Sequence, residues 1–169
     1  MHLLPTIVGD ILDPSLNIDC ILHQANIYHR FGGGLAAQIA KRYPEALEAD
    51  RATGYGDESK LGSFSVARVP VADEVSGATV SELRIFNIYS QIGMSETSYD
   101  YMRMALVKVS EHLEGLRLGE WRGQKYRVAI PYNLGCGIAD GNFNVVQAIV
   151  KEYLGHDGSV FIVRRPCDF

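Results

Sequence analysis

Ile18-Asp19-Cys20-Ile21-Leu22-His23-Gln24-Ala25 is a short, mostly apolar run whose end turns polar, with Asn26 next in line. Six residues (26–31) lead to Gly32-Gly33-Gly34, and Leu35, Ile39 and Tyr43 then recur at a spacing of four until Pro44. Period-four apolar positions closed by proline predict a helix over 35–43, and the apolar run before them predicts a strand. A strand that crosses a glycine loop into a helix is the unit of α/β folds, which bind ligands at the carboxyl ends of their strands.

The same order returns near the end of the chain. Tyr126–Pro131 predicts a strand, Gly135-Cys136-Gly137-Ile138-Ala139-Asp140-Gly141 a loop, and Val146, Ile149, Val150, Tyr153 and Leu154 one face of a helix. Further strands are expected over 3–8, 63–71, 83–89 and 159–163. Helices are expected over 45–52 and through Met102, Ala105, Val109, Leu113 and Leu116, the latter after the capping residues Ser95-Glu96-Thr97-Ser98. Asp73–Ser81 reads as a loop or hairpin tip. Alternating strands and helices predict one three-layer α/β/α domain with a mixed central sheet over residues 1–169.

The composition agrees. With 169 residues, 47% apolar and 21% charged, the chain can close a core without disulfides or metals. No apolar run approaches the ~20 residues that span a bilayer, and Met1-His2-Leu3-Leu4-Pro5 has no secretory pattern; a cytoplasmic protein with no membrane partner is expected. Cys20, Cys136 and Cys167 are too widely spaced for a zinc motif, so no metal is expected. Sixteen Lys and Arg against twenty Asp and Glu give a net charge of -4, which exerts no general pull on nucleic acid. An anionic ligand must then be held locally.

Glycine lets backbone N–H groups approach a ligand, and a helix N-terminus adds free donors and partial positive charge. Two such loops in one small domain can clamp a diphosphate from both sides. There is no G-x-x-x-x-G-K-[ST]. Gly32-x-Gly34-x-x-Ala37 matches the dinucleotide fingerprint formally, but Pro44 and a polar stretch stand where a second strand ending in an acid should follow. A nicotinamide-dependent oxidoreductase is therefore set aside, and no cofactor is expected.

Val8-Gly9-Asp10-Ile11, Ile21–Asn26 leading into Gly32-Gly33-Gly34-Leu35-Ala36, and Pro131 followed by Gly135-Cys136-Gly137-Ile138 together resemble a macrodomain, the ADP-ribose-binding module, over nearly the whole chain. The stretch from His23 through Tyr43-Pro44-Glu45-Ala46 is similar to the branch with the yeast ADP-ribose-1''-phosphate phosphatase, phage-type Appr-1''-p processing proteins and terminal ADP-ribose protein glycohydrolase. The resemblance implies that Asp10 accepts the adenine amine and the N–H of Ile11 donates to the ring. It implies that Gly32–Leu35 and Gly135–Ala139 wrap the diphosphate, and that Asn26 faces the distal ribose. Gln91 aligns with the lysine of the lysine-dependent glycohydrolases, and Ala139 takes the place of their aspartate, with Asp140 one residue later. A glutamine amide forms no Schiff base, so any hydrolysis is expected by direct water attack.

Asp140 reads either as the acid/base that orients this water or as a cap of the next helix. His23 reads as a proton-transfer or phosphate group or as a buried histidine, since only histidine titrates unperturbed near neutrality. Asn26 is a ribose contact or a turn residue. Cys136 reads as packing more than as a nucleophile, because no histidine or acid stands close to it in sequence. His29-Arg30 could meet phosphate or form a solvated loop, and Arg164-Arg165 reads as a surface feature. The expected function is binding of ADP-ribose or an ADP-ribosylated substrate, with nucleic acid a partner only if ADP-ribosylated. Hydrolysis at Asp140, His23 and Asn26 is expected with it, releasing either phosphate from ADP-ribose-1''-phosphate or ADP-ribose from a modified macromolecule; the alternative is a non-catalytic reader.

Overall fold

A computed structural model describes residues 4–137, 139–155 and 159–168. The main strands are β1 (Thr6–Val8), β2 (Cys20–Ala25), β3 (Phe64–Ala72), β4 (Thr79–Tyr89), β7 (Val128–Pro131) and β8 (Val160–Arg164). Strands β5 (Gln91–Ile92) and β6 (Glu96–Thr97) form a small separate ladder. The helices are α1 (Gly34–Arg42), α2 (Pro44–Arg51), α3 (Tyr99–Leu118) and α4 (Phe143–Leu154).

The six main strands form one sheet in the order β1-β8-β7-β2-β4-β3. All neighbours are parallel except β3, which returns antiparallel on β4. The sheet is therefore mixed, as the sequence predicts. Alternation along each strand sorts side chains to its two faces. Ile21, Ile85, Phe161 and Val163 pack with Ile39 of α1 and Ala46 of α2. Leu22, Phe86, Val160 and Ile162 pack with Met102 and Val109 of α3 and Val146 and Ile149 of α4. This makes three layers, with every parallel strand ending on the same edge.

Several boundaries differ from the sequence reading: β1 begins at Thr6 and β2 at Cys20, and most other ends move by one residue. Strand β4 begins at Thr79, because the turn at the hairpin tip is tightened by Asp73, whose Oδ1 accepts from the N–H groups of Val75 and Ser76. The strand expected from Tyr126 begins at Val128. Only Ser98 of the expected capping group caps α3, its Oγ accepting from the Tyr101 N–H, while Glu96 and Thr97 pair with β5. Two-residue strands carry too little periodicity to be seen in sequence. No helix among the described residues is long and apolar enough to cross a membrane.

Candidate functional site

A cavity of about 670 Å³ runs along the edge where β1, β8, β7, β2 and β4 end. The loop after β2 and the loop after β7 face each other across it. From the first loop come Asn26, Gly32, Gly33, Gly34 and Leu35; from the second come Gly135, Gly137 and Ala139. Asp10 and Ile11 line the β1 end, and His23 lies under the middle on β2. The structure thus brings together most of the residues singled out in sequence. Ile138 lies outside the described residues.

Each loop has a geometric reason for its glycines. Gly34, the first residue of α1, has a left-handed φ of 56°, which disfavours a β-carbon. A β-carbon on Gly141 would sit 2.6 Å from the Gly135 carbonyl oxygen, which accepts the Gly141 N–H. The second loop is also tied to the β5–β6 hairpin. The Thr97 N–H donates to Ala139 and the Thr97 hydroxyl to Gly135. Gly33 has no side chain to cap α1, no side-chain bond to the first N–H groups of α1 is found among the described residues, and Gly33, Gly34, Leu35 and Ala36 line the cavity.

Asn26 organises the first loop from within. Its Oδ1 accepts the N–H groups of Tyr28 and Arg30, and its Nδ2 donates to the Arg30 carbonyl. His29, at a left-handed φ of 54°, turns away from the cavity to place Nδ1 2.8 Å from the Asp50 carboxylate. Arg30 and Phe31 line the cavity instead.

His23 is buried, with Nε2 2.6 Å from Asn87 Oδ1. The Asn87 amide donates to the Ala46 carbonyl and to Ser65 Oγ, which fixes its oxygen toward His23. The imidazole must therefore carry its proton on Nε2. Burial pulls its pKa down to about 4, against the opposing pull of Asn87 and Asp50, so the ring is neutral at pH 7. It supplies no positive charge for a phosphate.

This burial predicts a pH dependence. As pH falls from about 6.5 toward 4, the unfolded histidine takes a proton that the native ring refuses, so the native state loses stability through that window. His23 should contribute a loss of about 2 kcal/mol between pH 7.5 and pH 5. Urea unfolding of wild type and His23→Gln at both pH values checks it; equal losses in the two proteins would rule out His23 as the source.

Asp140 and Cys136 are not among the residues lining the cavity. Asp140 is exposed at a left-handed φ of 51°. It is not the helix cap either: Asn142 caps α4, its Oδ1 accepting the Asn144 N–H. Burial raises the Cys136 thiol to about 11, and its Sγ donates to the Leu134 carbonyl, so it is a packed thiol. Arg165, read in sequence as a surface feature, lines the cavity, as does Asp168, its ion-pair partner at 3.3 Å. Gln24, Gln91 and Met94 also line it. Gln91 and Met94 belong to the hairpin that sequence periodicity misses; Gln24 is visible as a polar residue ending a strand.

No protein-family profile matches the sequence. A curated relative, an uncharacterized 17.5 kDa protein in the tk-vs intergenic region of enterobacteria phage T4, is 30% identical over 149 residues, 87% of each chain. The chain belongs to the same family as that phage protein. Among solved structures, a macrodomain protein from Streptomyces coelicolor superposes with a TM-score of 0.68 at 22% identity, covering 95% of this chain and 97% of the other. The fold is that of a macrodomain. Thermosipho africanus DarTG, solved in complex with ADP-ribose, matches at a TM-score of 0.61 and 15% identity over 90% of this chain and 39% of its own. Within the macrodomain fold the cavity occupies the ligand position expected for any open sheet of parallel strands, beyond their carboxyl ends.

Proposed function

We propose that this cavity binds ADP-ribose, free or carried on a macromolecule. The observation that carries the reading is the pair of glycine loops facing each other across one cavity, with the uncapped N-terminus of α1 on one side and Asp10 at the far end. Backbone donors from both loops would hold the diphosphate, which suits a chain of net charge -4. The adenine would lie at the β1–β8 end, beside Asp10 and Ile11. The structural neighbour solved with ADP-ribose supports this reading.

Asp10 Oδ1 already accepts the Leu12 N–H at 2.9 Å, which leaves Oδ2 for the adenine amine. Asp10→Asn keeps the turn through its carbonyl but sets an NH2 against that amine. Calorimetric titration with ADP-ribose should show a loss of about 1.5–3 kcal/mol, the range for a hydrogen bond to a charged group. Unchanged affinity in the folded variant would remove Asp10 from the base site.

Hydrolysis at the distal ribose is a second reading, favoured by Asp140 lying in the same loop as the lining residues Gly137 and Ala139. It requires that loop to turn the carboxylate inward, where it would orient water. Incubation with ADP-ribosylated protein and DNA separates the two: released ADP-ribose that falls by about 10²–10⁴ in Asp140→Ala supports catalysis. Binding with no release makes the protein a reader.

A further inference from the structure

Along the cavity the charged side chains are unevenly placed. Among the described lining residues, Asp10, Arg165 and Asp168 gather at the β1–β8 end, and Arg30 stands in the loop after β2. The β4 end is lined by Gln91, Met94 and Gln24, with the neutral His23 next to Gln24 on β2.

The orientation of both glutamine amides can be read from their partners. Gln24 Nε2 donates to Ser90 Oγ at 3.1 Å and to Thr97 Oγ1 at 3.0 Å. Thr97 uses its own proton on the Gly135 carbonyl, so it can only accept from Gln24. Gln91 Nε2 donates to the Met94 carbonyl at 2.7 Å, which also fixes that amide, and Gln91 is 8% exposed. In each case the oxygen has no partner among the described residues. Reversing either amide would set an oxygen against an acceptor.

We infer that the β4 end is a subsite for an uncharged, hydrogen-bond-donating group and that Gln24 and Gln91 set this specificity. This inference rests on the ADP-ribose reading, which places the distal ribose there. Two fixed carbonyl oxygens accept from ribose hydroxyls or from an N–H of the attached group. They repel a terminal phosphate, which would bring two negative charges to a wall with no cation among the described residues of this end. The ligand class is then ADP-ribose itself, or ADP-ribose joined to an uncharged acceptor, and not ADP-ribose-1''-phosphate. Among the described lining residues Arg30, and not the distant Arg165, is the cation able to oppose this, and it is exposed, on the loop that Asn26 ties.

The test is calorimetric titration of wild-type protein with ADP-ribose and with ADP-ribose-1''-phosphate, together with assay of inorganic phosphate release. ADP-ribose should bind at least about 30-fold more tightly, with no phosphate released. Gln91→Lys should narrow that gap by about 5-fold or more, and Gln24→Met should weaken ADP-ribose itself. Equal or tighter wild-type binding of the phosphorylated ligand, or phosphate release, overturns the inference and leaves the ADP-ribose reading standing; loss of that binding in Arg30→Gln would identify the cation responsible. Failure of wild type to bind either ligand overturns both. The two wild-type titrations decide between these outcomes even where a hairpin variant misfolds.

Discussion

Gly33→Glu is expected to abolish ADP-ribose binding, by about 100-fold or more, while the protein unfolds at the wild-type temperature or slightly above. Gly33 is the N-cap of α1, with φ -147° and ψ 164°, extended backbone that any residue adopts. A side chain there meets no conformational strain. A carboxylate at a helix N-terminus is itself favourable, by about 0.3–1 kcal/mol. The same carboxylate would stand where the phosphates are proposed to lie, adding bulk and like charge between the donors and their ligand. Stability and binding therefore move in opposite directions, which a general loss of structure does not produce. Thermal unfolding and calorimetric titration on one preparation check both. Wild-type affinity in this variant would show that α1 does not hold the phosphates.

The α/β layering could be read from the sequence because strands β2, β7 and β8 are short apolar runs and the helices after β2 and β7 each bury one apolar face. The glycine loops were legible for a related reason: Gly34 and Gly141 occupy places that reject a β-carbon. What stayed hidden depends on direction. Sequence puts Asp140 beside a ligand loop, but a left-handed φ turns the chain there and leaves the carboxylate exposed. His23 looks titratable until Asn87, sixty-four residues away, fixes its proton and burial makes it neutral. Arg165 follows a strand and looks solvated, yet with Asp168 it forms one end of the cavity. Long-range partners of this kind leave no local period or spacing.

Asp50 is the site of the largest expected loss of stability, and nothing in its local sequence hints at it. It lies on α2 with no exposed surface. Tyr89 donates its hydroxyl to Asp50 Oδ1 at 2.6 Å, His29 Nδ1 is 2.8 Å from Oδ2, and the buried Lys60 Nζ stands 3.8 Å from Oδ1. Tyr89 also meets Ser65 Oγ, which accepts from Asn87, so hydrogen bonds run unbroken from this carboxylate to His23 beneath the cavity. Burial pulls the Lys60 pKa down while Asp50 holds it up, and burial keeps the Tyr89 phenol well above its ordinary value. Asp50→Ala leaves Lys60 with the Gly54 carbonyl, the face of the Tyr89 ring and only the weaker pull of the exposed Asp57 carboxylate. Breaking a buried pair from one side costs about 3–5 kcal/mol, most of it the uncompensated charge. Asp50→Ala should therefore lose about that much in urea unfolding, and Asp50→Asn/Lys60→Met should be more stable than Asp50→Asn, because the second change removes the orphaned ammonium. The function should respond as well. His29 holds a strained backbone in the loop that leads to Gly32–Gly34, and the Asp50 contact is what offsets that strain. In the folded double variant ADP-ribose affinity should fall although neither residue lines the cavity. A double variant that regains stability and keeps full affinity would confine Asp50 to holding the fold.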